Sequence, residues 1–247
     1  MTWFTFILSM SLSTDSSKHI LMVFPISLRS TRIQLDPLIE GLLNKGHEVT
    51  AVFSIPSSIS HWNYHEKVIP DSAVDWYERF SEKVFLNEAG PDLGSFKTFK
   101  TMLQEDLNCV QADYEMLHVY DELEDLIKDK HRKIDTLMVT AYTGITFYYL
   151  AQLLNCPIII FSPEGPLAGL LGNMGNPDNP SWQISNYSPL VEPMSFFQRL
   201  YNVWNRILLL GFQRLHFILL QRELAARFQS EIPDLEVMER NVKRSKR

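Results

Sequence analysis

The chain has 247 residues, of which 45% are apolar and 21% are charged, a composition typical of a globular protein and not of a disordered one. Its formal net charge of −6 argues against nucleic acid as a partner, because phosphate binding requires a basic surface. Residues 1–17 are apolar at first and then rich in serine, which predicts a weak secretory signal. The alternative is the apolar N-terminus of a cytosolic protein.

The segment 19–53 has the pattern of a strand, a helix and a second strand. The apolar run HILMVF at 19–24 predicts a buried strand. Between Ser30 and Gly46 apolar residues recur at helical spacing, and these two residues suit an N-cap and a C-cap. The run HEVTAVF at 47–53 predicts the second strand. The three elements therefore form a βαβ unit with parallel neighbouring strands.

The middle of the chain interrupts this pattern and then resumes it. Residues 54–95 are polar and rich in turn residues, which predicts a long excursion with one short helix near 74–84. Residues 96–130 predict a long helical stretch with a solvated acidic face. Two further strands are predicted at 134–139 and 156–161, and a helix is predicted between them at 145–154. The fold class is therefore α/β, with an open parallel sheet and a helical excursion.

The last part of the chain is a loop followed by a long helical region. Residues 162–193 contain many prolines and glycines, and residues 194–228 are predicted to be helical. Four arginines recur in this region every seven or eight residues, at Arg199, Arg206, Arg214 and Arg222. They allow two interpretations, a packed amphipathic helix pair or an interfacial helix on anionic lipid over 194–222. Residues 243–247 form a basic tail.

Ligands of open parallel sheets bind beyond the C-terminal ends of the strands. Three predicted loops lie there, at 25–31, 54–62 and 140–144. The first leads into a helix N-terminus, where backbone N–H groups favour a polar oxygen or an anion. It contains no glycine, so it is not a dinucleotide fingerprint, and the sequence has no Walker loop, HExxH, CxxC or GxSxG motif. Motifs alone therefore identify no enzyme.

Three longer segments resemble one family, the UDP-glycosyltransferases of animals. The first runs from ILMVFP through an Arg-Ser loop to LLNKGHEVTAVF. The second is KIDTLMVTAY followed by LAQLLNCPIIIFSP, within residues 133–163, and the third is GNPDNPSWQISNYSPLVEPMSFFQRLYNVW, residues 175–204. The third is the most distinctive, because its loop and its RLYN sequence are not general α/β features. The resemblance extends from His19 to about Val242.

The resemblance implies a GT-B fold of two Rossmann-like halves, of which residues 18–242 match the N-terminal, acceptor-binding half. The family transfers sugar from a UDP-sugar co-substrate, without a metal or other cofactor, to a small lipophilic acceptor. A general base is needed because a neutral alcohol is a poor nucleophile near pH 7. In the family this base is a histidine after the first strand, and an aspartate after a later strand orients it.

This chain departs from the family pattern at the catalytic positions. The histidine falls on Thr31 and the aspartate on Thr140, and a threonine hydroxyl cannot act as a base near neutral pH. His47 is expected at the opposite end of its strand. His61 and His65 fall on or near the next candidate loop, where they either reach the cleft or are surface histidines. The acceptor site is predicted from six residues, namely Ser30, Thr31, Phe85, Phe96, Phe99 and Leu103.

The resemblance also implies that the UDP-sugar-binding domain is absent from these residues, so that the chain alone is expected to be inactive. Its expected location is the endoplasmic reticulum lumen or membrane. An alternative function is a non-catalytic ligand-binding or regulatory partner of full-length transferases. A third hypothesis, an unrelated nucleotide-binding protein, is disfavoured by the glycine-free first loop.

Overall fold

The computed structural model describes residues 17–26, 29–69, 107, 110–129, 132–141, 144–162, 170–173, 175, 179–184 and 190–241. At its centre is a five-stranded parallel sheet with the strand order β3-β2-β1-β4-β5. The strands are β1 (His19–Phe24), β2 (Glu48–Phe53), β3 (Tyr64–Val68), β4 (Thr136–Thr140) and β5 (Ile158–Phe161). The predicted α/β class with an open parallel sheet is confirmed.

Helices connect and cover the strands. They are α1 (Arg29–Asn44), α2 (Val119–Glu122), α3 (Glu124–Lys128), α4 (Tyr148–Leu153), α5 (Leu170–Asn173), α6 (Phe196–Phe228) and α7 (Leu235–Asn241). Residues 110–115 are also helical and continue into a 3₁₀ turn before α2, and a second 3₁₀ turn, Gly144–Phe147, leads into α4. No helix in the described ranges is long and apolar enough to cross a membrane.

The predicted βαβ unit at the start of the chain is confirmed. Every residue of β1 pairs in step with β2, beginning with His19 opposite Glu48. Between them α1 ends near Gly46, which has a φ of +82°. Glycine suits this position because a side chain disfavours the left-handed region. The chain can therefore leave α1 and enter β2 within a few residues.

The two faces of the sheet are covered by different helices. On one face α1 packs through Leu35, Ile39 and Leu43 onto alternate residues of β1 and β2. The other face is covered by the helical residues between 110 and 128, by α4, and by the later part of α6 together with α7. Successive side chains of a strand point to opposite faces of the sheet, so they alternate between the two hydrophobic cores. Each core belongs to one sheet face, and the C-terminal edge lies between them.

Two elements differ from the predictions. The sequence predicts a long polar excursion with one short helix over 54–95, but residues Tyr64–Val68 of this segment form β3 at the edge of the sheet. An edge strand has one hydrogen-bonding neighbour, so its side chains can be largely polar. The helical region predicted at 194–228 is confirmed, but it is one helix of 33 residues, α6, so the interpretation as a helix pair is wrong. A capping box of Ser195 and Gln198 begins this helix.

Some predicted segments lie outside the described residues. They are the signal-like segment up to residue 16, the short helix near 74–84, the first part of the helical stretch over 96–130, and the basic tail at 243–247. These four stay predictions from the sequence.

Candidate functional site

The two positions that the resemblance assigns to catalysis, Thr31 and Thr140, lie at the same edge of the sheet. Thr140 is the buried last residue of β4, and β4 pairs with β1 so that Val139 lies opposite Val23. Thr31 is half-buried in the first turn of α1, which follows β1. Because both strands are parallel, the two threonines follow the C-terminal ends of neighbouring strands, where ligands of such sheets bind. Their catalytic correspondence stays a prediction.

The remaining predicted acceptor residues divide into two groups. Ser30 is exposed in the first turn of α1, beside Thr31. The other four lie outside the described residues, namely Phe85, Phe96, Phe99 and Leu103. The described part of the predicted acceptor site is therefore the first turn of α1.

Three aromatic rings end the strands beneath this turn. The rings of Phe24 and Phe53 are stacked with their centroids 5.4 Å apart, and Phe161 meets Phe24 edge-on at 6.1 Å. These three residues end β1, β2 and β5, and each faces the α1 side of the sheet. Such ring pairs add packing energy to the area they bury. They form a firm apolar base under the C-terminal edge.

A buried arginine lies directly after Thr31. The guanidinium carbon of Arg32 is 3.8 Å from the centre of the Phe53 ring. Arg32 as a whole is only 5% exposed. Its Nε and Nη2 donate to the Ile55 carbonyl oxygen at 2.8 and 2.5 Å. Its Nη1 lies 3.2 Å from Asp36 Oδ1, one turn along α1. Arg32 therefore attaches the first turn of α1 to the loop after β2.

The charge of Arg32 is balanced by β3. Nη2 also pairs with Glu66, whose other oxygen accepts from the Ser57 backbone N–H at 2.9 Å. The Tyr64 hydroxyl donates to the Glu66 oxygen that pairs with Arg32, at 2.9 Å. Because carboxylates and a carbonyl already surround the guanidinium, its role is to hold the edge together. The sequence pattern predicts no role for Arg32, because an arginine in the first turn of a helix is its only local signal.

The candidate histidines do not lie at this edge. His47 is buried just before β2 and accepts from the Lys18 backbone N–H at 3.3 Å, so its predicted place at the opposite end of the strand is confirmed. His61 precedes β3, and His65 lies within it, opposite Thr50. The loop after β2 thus returns to the other end of the sheet before β3 begins. Of the two interpretations of His61 and His65, this path favours surface histidines.

The N-terminal edge instead carries a group of charges around Glu48. Glu48 Oε1 lies 2.8 Å from Arg132 Nη2 and 3.4 Å from His65 Nε2. Although burial alone would raise the pKa of Glu48, the Arg132 hydrogen bond and neighbouring positive charge lower it. Burial lowers the pKa of His19, whose Nε2 is 2.8 Å from the Thr50 hydroxyl. These groups stabilise the ends of strands, far along the sheet from the C-terminal edge.

A second titratable pair lies within the helical layer. Asp113 is completely buried, accepts from the Thr146 hydroxyl at 2.9 Å, and has Oδ2 3.2 Å from His216 Nε2. Burial raises the pKa of Asp113, and the contacts with His216 and Thr146 oppose that change. The pair joins α6 to the helical residues 110–115, and Thr146 connects Asp113 to the turn before α4. Its position indicates a structural role between helices.

No family model matches the chain, but three curated relatives from Dactylopius coccus do. UDP-glycosyltransferase UGT5 is 28% identical over 218 residues, which cover 85% of this chain and 39% of that relative. UDP-glycosyltransferase UGT4 is 28% identical over 236 residues, with 90% and 42% covered. UDP-glucosyltransferase 2 is 27% identical over 201 residues, with 78% and 36% covered.

This chain therefore spans about two fifths of the length of the relatives it matches. The Rossmann-like parallel sheet of this chain fits one half of the GT-B fold that is expected for such glycosyltransferases. The sequence resemblance stated from the strand, loop and helix motifs is thereby confirmed. The chain is similar to UDP-glycosyltransferases and resembles the N-terminal half of these proteins.

Proposed function

We propose that this chain forms the acceptor side of a UDP-glycosyltransferase and supplies no general base at its C-terminal edge. The observation that carries the proposal is a pair of threonines at the positions that the resemblance assigns to catalysis. Thr31 lies in the first turn of α1, which follows β1, and Thr140 ends the neighbouring strand β4. A sugar transfer to a hydroxyl requires removal of the acceptor proton as the new bond forms. A threonine side chain can donate or accept a hydrogen bond but cannot take up that proton near pH 7.

The acceptor in this proposal is a small lipophilic molecule with a hydroxyl group. The first turn of α1 offers the hydroxyl of Thr31 and the backbone N–H groups of a helix start. The stacked rings of Phe24 and Phe53 provide an apolar surface below that turn. This combination suits a ligand with one polar group on an apolar body. The donor in the proposal is a UDP-sugar, held by the family's other half, and no metal or other cofactor is required.

A chimaera tests the catalytic part of the proposal. Residues 18–242 are joined to the second half of UDP-glycosyltransferase UGT5, and transfer from UDP-glucose to a phenolic acceptor is measured. Thr31→His with Thr140→Asp should raise the rate by about 100-fold or more, because general-base catalysis contributes about 10²–10⁴-fold. The matched control is Thr31→Asn with Thr140→Asn, which adds polar side chains of similar size but no base, and it should give no gain.

Two results would contradict the proposal. One is a folded chimaera that binds UDP-glucose but gains nothing from the His and Asp substitutions. The other is an unmodified chimaera that transfers sugar as fast as the relative itself, since the base would then come from elsewhere. Binding of the phenolic acceptor to the unmodified chain, measured by fluorescence, tests the acceptor side separately from catalysis.

A second candidate function is a non-catalytic partner that binds ligand or regulates full-length transferases. The same threonine pair favours it, because ligand binding survives the loss of a base. Co-purification of the tagged chain with a full-length relative tests this candidate, and a chain that binds neither acceptor nor relative would count against it. Residence in the endoplasmic reticulum and peripheral membrane contact through 194–222 stay predictions, which fractionation of cells can test.

A further inference from the structure

The helix α6 is held at two separate places along its length. Near its start, the buried Asn202 donates through Nδ2 to the carbonyl oxygens of Pro180 and Gln183 at 2.6 and 2.9 Å. Near its end, three side chains are buried in the core on one sheet face, namely Phe217, Leu220 and Leu224. Between these places no residue from 207 to 215 is buried, a length of about two and a half turns. The middle of α6 therefore has little apolar packing to hold it.

A glycine lies at the centre of this unburied stretch. Gly211 is exposed, and a Cβ added to it would meet no atom within 4 Å, so packing does not require glycine there. Glycine weakens a helix interior, because its backbone loses more conformational freedom on folding than that of other residues. Few buried contacts and a weak helix former are the properties of a segment that opens locally. Residues 207–215 are therefore called the hinge segment.

Two polar contacts lie at the end of the hinge segment. Arg214 reaches Asp234 and Glu236 at 3.0 and 2.5 Å, but its side chain is half exposed and such surface ion pairs hold weakly. The other contact joins His216 Nε2 to Asp113 Oδ2 at 3.2 Å, and both of these atoms are buried. Apart from each other, the two atoms have no hydrogen-bond partner among the described residues. This buried pair is therefore the contact that fixes the middle of α6 to the helical layer.

The strength of the buried pair depends on how many protons it holds. An ionised Asp113 beside a neutral His216 leaves a negative charge buried, and a protonated Asp113 beside a charged His216 leaves a positive charge buried. The pair is neutral overall when it holds one titratable proton, and burial favours that state.

The pKa of Asp113 agrees in direction with this reasoning. Burial raises it, and the contacts with His216 and Thr146 oppose that change only in part. A raised pKa gives stability that is present at low pH and lost as pH rises through that pKa. An unburied pair of this kind loses its last proton near pH 6.5, the ordinary pKa of histidine. The contact is therefore strongest in mild acid and weakens as pH rises through neutrality.

The titratable groups around Asp113 belong to each element packed against it. Burial raises the pKa of its neighbour Tyr114 and of Tyr148 in α4, so neither phenol ionises near neutral pH. Glu223 of α6 acts on Tyr114, and Glu239 of α7 accepts from the Tyr148 hydroxyl at 3.1 Å. Carboxylates at these positions add negative potential, which favours retention of the proton on the buried pair.

We infer that α6 is a hinged helix, whose middle is held by the buried pair while that pair has one proton and loosens when the proton leaves. The first half of α6 is the part that gains freedom, because Phe217 and the side chains beyond it stay in the core. Asn202 attaches that half to residues 179–184, in the segment that leads away from the C-terminal end of β5. The pair thus connects pH to the edge where ligands of parallel sheets bind. This connection is independent of any general base at that edge.

Hydrogen exchange of the full chain between about pH 6 and pH 8 tests the hinge. The measured quantity is the protection factor of the hinge segment, which divides out the pH dependence of intrinsic exchange. It should fall by up to about tenfold per pH unit above about pH 6.5, because opening releases one proton. Protection over 217–224 should change much less. Asp113→Asn keeps the shape of the side chain but cannot ionise, so it should abolish the fall.

Three control variants separate the buried pair from its surroundings. Arg214→Gln removes the exposed ion pair beside it, and Glu239→Gln removes the other nearby buried carboxylate, and both should leave the fall in place. Gly211→Ala should raise protection about fivefold at every pH without changing the pH dependence. Circular dichroism verifies that each variant keeps its helices.

The opposing outcomes are equally specific. Protection of the hinge segment that does not change with pH in the unmodified chain overturns the inference, whether or not any variant folds. An equal fall in Asp113→Asn, or loss of the fall in Glu239→Gln, assigns the proton to another group and also overturns it. A fall of the same size over 217–224 shows that the core opens together with the hinge segment, which contradicts a hinge.

Discussion

Removal of the Arg32 side chain should be among the most destabilising single substitutions at the C-terminal edge. In Arg32→Met the Glu66 carboxylate, only 15% exposed as a side chain, loses its cationic partner. Breaking a buried ion pair in this way costs about 3–5 kcal/mol, because a charge stays buried without compensation. The Ile55 carbonyl and Asp36 lose a donor as well. The free energy of unfolding, measured by urea denaturation, should fall by about that amount.

A double substitution distinguishes the cause of this loss. Arg32→Met with Glu66→Met removes both charges, so it should cost less than the sum of the two single substitutions. Arg29→Met is the matched control, since Arg29 lies in the same turn of α1 and is exposed, and its effect should be under about 0.5 kcal/mol. A loss below about 1 kcal/mol for Arg32→Met, or strict additivity in the double variant, would refute the reasoning.

Three further predictions concern stability. Gly46→Ala should lower the free energy of unfolding by about 1 kcal/mol, because φ is +82° at this position. Gly41→Ala should raise it by about 0.5–1 kcal/mol, because Gly41 lies inside α1 with open space around it. Thermal unfolding measures both changes. Asp234→Ala should cost about 1 kcal/mol in the same assay, since Asp234 Oδ1 accepts from the Glu236 backbone N–H at 2.9 Å and caps α7. Although burial alone would raise the pKa of Asp135, the hydrogen bond from the His19 backbone N–H and the lysine charges lower it. A lowered pKa gives stability that is present at neutral pH and lost as pH falls below about 4, so the difference between wild type and Asp135→Asn should shrink in acid.

The sequence predicted those elements whose signal lies within their own residues. The apolar run of β1 and the helical spacing of the apolar residues in α1 each indicate a local structure, and both elements were confirmed. The predicted N-cap is wrong, because α1 already begins at Arg29 and Ser30 lies within its first turn. The strand β3 has no such signal, because Tyr64–Val68 is a polar segment that becomes a strand by pairing with β2. Its formation depends on a neighbour that lies outside the segment, which a pattern read along the chain does not contain.

The same dependence explains why the role of Arg32 was missed. An arginine in the first turn of a helix is ordinarily a solvated side chain. Here it is buried because β3 brings Glu66 and Tyr64 to one side of it and Phe53 lies below it. Because the sequence does not predict β3, it does not predict that the Glu66 carboxylate lies beside Arg32. The helix α6 is a different case, since its apolar residues were recognised but their division into a buried and an exposed face required coordinates.

The neighbourhood of Thr31 makes the proposed catalytic test informative. The contacts of Arg32 with Ile55 and Glu66 attach the first turn of α1 to the loop after β2 and to β3. The backbone at position 31 is therefore held by its neighbour in the sequence, so Thr31→His should change the chemistry of the position more than its place. The test can then be paired with Arg32→Met in the same chimaera. If the edge must be rigid for a base to act, the gain from Thr31→His with Thr140→Asp should largely disappear in that background, while binding of UDP-glucose to the other half is retained. A gain that persists unchanged would show that the Arg32 contacts stabilise the fold without positioning the catalytic turn.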